Sequence, residues 1–94
     1  MTGTATLRDW IEGKLAAELA PARLDVVDES HLHAGHSGAR PGGETHFRVD
    51  VVSAAFDGKS RVDRHRVVNA LLAEAFERGL HALAVKARTP AEAA

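Results

Sequence analysis

Apolar residues at the start of the chain recur at the spacing of one helical face. Leu7, Trp10, Ile11, Leu15 and Leu19 follow that period and Pro21 comes just after, which predicts an amphipathic helix that stops before the proline. Trp10 is expected to belong to the core rather than to serve as a ligand platform. From Arg23 to Ser30 (RLDVVDES) the pattern turns β-branched and partly alternating, the mark of a strand. Residues His31 to Glu44 form a glycine-rich stretch containing Pro41, read as an exposed loop. Thr45 to Ser53 (THFRVDVVS) then alternates cleanly: Thr45, Phe47, Val49 and Val51 share one face, and His46, Arg48 and Asp50 the other. The two strands flank one loop and should pair as an antiparallel hairpin.

After a turn at Asp57-Gly58, Ser60 is placed to cap a helix whose first turn carries Asp63 and which runs to about Arg78. Its core stripe is Val68, Leu71, Leu72, Ala75 and Phe76, and Gly79 is placed to end it. His81 to Arg88 (HALAVKAR) reads as a third strand. Thr89-Pro90-Ala91-Glu92 has the cap, first-turn proline and returning glutamate of a capping box, so a short helix follows. The order is α-β-β-α-β-α. The long helix separates the second and third strands, so those two can be parallel neighbours through a right-handed crossover. An α+β domain follows, a three-stranded mixed sheet with its helices packed on one face.

At 94 residues the chain is expected to be a single domain, 1–94. Its 45% hydrophobic and 27% charged residues fit a globular class. No stretch resembles a membrane span, and the first residues lack the apolar core of a signal peptide, so a cytoplasmic location without membrane contact is expected. The formal charge of −1 gives no global field for nucleic acid. The absence of cysteine excludes a disulfide framework and any thiolate metal site made by this chain alone.

Against that absence stand six histidines, four of them between Ser30 and Phe47. His31 and His33 are two apart and point the same way in an extended backbone, while His36 lies across Gly35. All three can offer a ring nitrogen to a metal, although a histidine on a loop is most simply a solvated side chain. Zinc or nickel held by His31, His33 and His36 alone is a weaker reading, because three imidazoles on glycine hinges lose much entropy on binding. His81 either sits at the rim of the core with Leu83 and Val85 or stands half exposed at the start of its strand, just after the Gly79 break. His46 is expected to face solvent or the loop. His65, at the edge of the helical stripe, is expected to be structural and to bond the turn near Gly58.

The segments "VVDES", "ETHFRVDVVSAAFDGKSRVDRHRVVNALLAEAF" and "GLHALAVKARTPAE" resemble the BolA family over about residues 5 to 92. The most specific parts are the run from Thr45-His46-Phe47 through Phe56-x-Gly58 to Arg64-His65-Arg66, and the later His81-Ala82-Leu83. The resemblance implies a KH-like α+β fold of the class II type, in agreement with the element order. It also implies a non-enzymatic partner of monothiol glutaredoxins, forming a heterodimer bridged by a 2Fe-2S cluster. Some members are associated with transcriptional control or stress and cell-shape responses.

That role gives the histidines a chemistry. Imidazole can replace thiolate on one iron of such a cluster, which raises its reduction potential. A chain without cysteine needs a partner to supply thiolates, and a monothiol glutaredoxin brings its active-site cysteine and a bound glutathione. The resemblance places the two histidine ligands at His33 and His81, with His36 and then His31 as alternatives to His33. No cofactor is expected on the isolated chain, which should be a monomer or weak homodimer.

Two other function classes compete with this one. Lys59, Arg61, Arg64 and Arg66 gather positive charge at the start of the long helix, with Arg48 near, and such a patch could contact DNA phosphates. Asp57, Asp63, Glu74 and Glu77 dilute it. A Gly-x-x-Gly run occurs at Gly35-His36-Ser37-Gly38, but between strands rather than between helices, where KH modules carry it. An enzyme is not expected: no nucleophile elbow, P-loop or dinucleotide fingerprint is present.

Overall fold

The structure, a computed structural model, describes residues 6–29 and 45–94. The elements are α1 (Leu7–Leu19), β1 (Arg23–Asp28), β2 (His46–Val52), α2 (Arg61–Leu71), α3 (Ala73–Glu77), β3 (Ala82–Arg88) and α4 (Pro90–Ala93). Thr6 caps α1 through a reciprocal capping box with Asp9, and Ala20 ends the helix in the left-handed conformation at φ 42°. The buried face is Leu7, Ile11, Leu15 and Leu19. Trp10 lies about 60° off the edge of that stripe and is half-buried, with the Arg78 guanidinium 5.6 Å from its ring centroid.

The sheet order is β1-β2-β3, with β1 and β2 antiparallel and β2 and β3 parallel, the expected mixed sheet. The register aligns Val26 with Val49 and Val49 with Val85, so apolar side chains from all three strands share one face. Phe47, Val49 and Val51 on that face are buried and pack with Ile11, Leu15, Val68 and Leu72 of the helices. Fully burying a side chain of this size is worth about 1.5–3 kcal/mol, enough to fix which face of β2 turns inward. The other face carries Asp25, Val27, Arg48, Asp50, Ala84 and Lys86. Ser53, just past β2, locks the layers together: its hydroxyl donates to the Leu19 carbonyl at 2.6 Å and its N–H to the Arg88 carbonyl.

The long helix differs from its expected form. It breaks at Leu72 (φ −101°, ψ 16°), so α2 and α3 replace one helix to Arg78. Val68, Leu72 and Ala75 are fully buried, whereas Leu71 is half-buried and Phe76 is 39% exposed. At about 100° per residue the five expected positions span roughly 140°, and Phe76 and Leu71 fall at the two margins of that arc. The ends match the reading: Ser60 caps α2, and Gly79, at φ 114°, permits the turn that sends Leu80 into the core. The Thr89–Glu92 capping box at α4 is also present. Among the described residues no helix is long and apolar enough to cross a membrane.

Candidate functional site

β3 brings chemistry to both of its ends. At its start, Thr45 is buried and its carbonyl accepts the N–H groups of both His81 (2.7 Å) and Ala82 (3.0 Å). This double acceptance fixes the main chain where β3 begins. His81 itself is exposed, immediately before the first residue of the strand. Of the two placements open for it in the sequence, the exposed strand-start position is the one found. His46 lies beside it, with the two ring centroids 5.3 Å apart and the planes tilted by 51°.

His46 differs from expectation: it is only 8% exposed, and its Nδ1 is hydrogen-bonded to the Thr45 hydroxyl at 2.9 Å. Strand alternation puts it on the outer face, as expected, but at the first position of β2 that face is not open to solvent. The Glu29 N–H donates to the His46 carbonyl at 2.8 Å, so His46 ties the end of β1 to the start of β2. The carboxylate of Glu29 pairs with Arg48 at 3.0 Å on the same face.

His31, His33 and His36, like the Gly35–Gly38 run and Ser30, lie outside the described residues. What the structure does place is the frame around them: Glu29 and Thr45 bound that segment on either side, and Thr45 holds His81. Among the described residues no group of three His, Asp or Glu side chains is close enough to hold a metal ion. Any metal taken here needs donors beyond His81 and its neighbour.

At the other end of β3, Arg64 departs from its expected place in a solvent-facing basic patch. It is 8% exposed, and its guanidinium donates to the Lys59 carbonyl (3.0 Å), to the Ala87 carbonyl (3.1 Å) and to both oxygens of Glu92 (2.6 and 3.0 Å). Glu92 also accepts the Thr89 N–H at 2.9 Å. The Arg64 side chain, and next the Thr89 N–H, hold the Glu92 carboxyl down to about 2, and the same bond raises Arg64. A guanidinium with this many partners is a structural clamp on α4, and no sequence pattern near Arg64 signals a partner 28 residues away.

The remaining cations take a different arrangement from the one expected. Arg66 is exposed and paired with Asp63 at 3.3 Å. Arg61 instead joins His65, Lys86 and Arg88 around a groove of about 370 Å³ between α2 and β3, floored by Val85 and Ala87. A second hollow of about 420 Å³ on this side of the fold is lined by Lys59, Arg61, Arg64 and Glu92. His65 is thus exposed in the groove rather than bonded to the Gly58 turn. Nothing in the sequence signals Lys86 and Arg88, because the crossover alone brings them beside Arg61. Arg88 also pairs with Asp50 at 3.1 Å, and its buried Nε has no hydrogen-bond partner.

Comparison with known proteins places this fold. Residues 15–92 match the model of the family described as BolA-like protein. A protein of Sinorhizobium sp., described as an uncharacterized protein in the cobS 5' region, is 50% identical over 88 residues, covering 93% of this chain and 95% of its own length. SufE-like protein 1 of Arabidopsis thaliana is 50% identical over 86 residues, which cover 87% of this chain but 23% of that protein. The chain likewise spans about half of the BOLA1 protein of the same plant. The solved structure of the BolA domain of Arabidopsis SufE1 superposes with a TM-score of 0.85 at 47% identity, covering 96% of this chain and 99% of that one. With residues 15–92 matched by the family model and a relative at 50% identity matched over nearly its whole length, this chain belongs to the BolA-like protein family.

Proposed function

We propose that this chain is a non-enzymatic partner of a monothiol glutaredoxin, with which it shares a 2Fe-2S cluster. The observation that carries the reading is His81: an exposed imidazole at the start of β3, its main chain fixed by Thr45 at the end of a segment holding three more histidines, in a protein without cysteine. The donor set suits such a cluster. Imidazole binds iron, and a two-imidazole, two-thiolate cluster is a known type with a raised potential. This chain would give His81 and His33, with His36 and His31 as alternatives to His33. The partner would give the thiolates of its active-site cysteine and glutathione. When bound, the cluster supplies one-electron chemistry and a labile iron-sulfur unit.

The chain's own contribution is to hold donors and to bring them to the partner. Exposure of His81 leaves room for a second protein to approach its ring, and rigid attachment of its main chain lowers the entropy lost when the donor is immobilised. The test is an anaerobic titration of cluster-loaded monothiol glutaredoxin with this protein, followed by visible absorption and circular dichroism. A new spectrum saturating at one-to-one supports the reading. A spectrum left untouched by the wild-type chain contradicts it.

One observation favours a second reading, DNA binding. The groove flanked by Arg61, His65, Lys86 and Arg88 offers positive charge along a strand edge. With Arg64 committed to Glu92 and Arg66 paired with Asp63 away from the groove, the phosphate-contacting set would be Lys59, Arg61 and Lys86. Salt-dependent binding of a short duplex, weakened by loss of those cations, would support it.

A further inference from the structure

We infer that His46, locked by the Thr45 hydroxyl, is a positioning residue that holds the His81 ring in one orientation; the inference deepens the reading of His81 as a cluster donor and rests on it. An exposed histidine at a strand start would normally sample several side-chain rotamers. Here two neighbouring residues act on it from different directions. The Thr45 carbonyl accepts the His81 and Ala82 N–H groups and so sets the position of the His81 main chain. The Thr45 hydroxyl, bonded to His46 Nδ1 at 2.9 Å, sets the rotation of the His46 ring.

The His46 ring then lies 5.3 Å from that of His81 with a 51° tilt, within the tilted pairing range of aromatic rings. Burial of His46 and the Glu29 N–H on its carbonyl keep this wall from moving aside. A donor with a fixed ring presents its nitrogen to iron in one direction, which is what a cluster brought by a second protein requires. The ring packing is the element a phenylalanine can reproduce and an alanine cannot.

The first test uses the isolated chain and no metal. Three-bond Hα–Hβ couplings of His81, measured by NMR, should report one dominant rotamer in the wild type. His46→Ala should lower the ratio of that rotamer to the others roughly fivefold, as expected when one aromatic neighbour is removed. Amide shifts along 84–88 should stay unchanged, and His46→Phe, which keeps the ring packing but not the Thr45 bond, should return most of the wild-type rotamer preference. Couplings in His46→Ala equal to those of the wild type, or equally averaged in the alanine and phenylalanine variants, would overturn the inference.

The second test uses the glutaredoxin complex. His46→Ala should keep one-to-one binding but shift the circular dichroism of the cluster, with His46→Phe returning it toward the wild-type form; an unshifted alanine spectrum would count against a positioning role. If the wild-type chain forms no shared cluster at all, the donor reading of His81 falls, while the couplings still decide whether His46 orients its ring.

Discussion

The two ends of β3 are built from similar materials and put to opposite uses. At the end near α4, Arg64 is buried and its guanidinium is committed inward, to two main-chain carbonyls and a bidentate carboxylate. At the start, His81 has its main chain held and its ring exposed. Both residues belong to the motifs that identify the family. A buried guanidinium committed to internal acceptors has little left to offer a ligand, whereas a fixed main chain under an exposed ring is the arrangement of a donor. Conspicuous charge therefore marks structure at one end, and a single imidazole marks the proposed function at the other.

The largest contrast should come from His81→Ala. It should abolish the shared-cluster spectrum while changing stability by no more than about 0.5 kcal/mol, the usual range for an exposed side chain. A thermal melt read beside the cluster titration checks both halves; a melting point that fell together with the spectrum would erase the distinction between the two ends. Arg64→Ala should do the reverse. It leaves Glu92 without its cation and the Ala87 carbonyl without its donor, so the melting temperature should drop further than for any substitution at His81, and the folded fraction should still take up cluster with glutaredoxin.

A middle-sized effect is expected in the groove. If the chain binds DNA there, replacing Arg61 and Lys86 together with alanine should reduce the slope of log binding constant against log salt by about 2, close to one for each phosphate that is no longer neutralised. Arg64→Gln should leave that slope unchanged. The smallest effect is the pH dependence contributed by Glu92. Its carboxyl is held at about 2 in the folded chain against 4.5 unperturbed, so the folded state favours the ionised form. The stabilisation is complete above about 4.5 and is lost as pH falls toward about 2. Denaturation curves across that window should fall less steeply for Glu92→Gln than for the wild type.

Much of the scaffold is legible in the sequence because its causes are local. The Thr45–Ser53 alternation, the Ser60 and Thr89 caps and the stop at Gly79 each depend on residues within a few positions, and the structure has them. The parallel pairing of β2 with β3 follows from the helix between them. Arg64 and His46 differ from expectation for a common reason: their surroundings are assembled from distant parts of the chain. Alternation puts His46 on the outer face but says nothing about what meets that face at the first position of β2, and the spacing of Arg61, Arg64 and Arg66 gives no hint of Glu92. The exposure of Phe76 likewise reflects how the sheet selects the middle of an over-wide apolar arc. Lys86 and Arg88 join Arg61 only once the crossover is made.

Pulsed electron paramagnetic resonance reads imidazole ligation by this chain most directly. The protein would be labelled with ¹⁵N-histidine alone, mixed with unlabelled cluster-loaded glutaredoxin and reduced. Strong hyperfine couplings from two ¹⁵N nuclei are expected with the wild-type chain, and with His81→Ala neither the shared-cluster signal nor those couplings should appear. A reduced cluster with no coupling to the labelled chain would contradict that ligation.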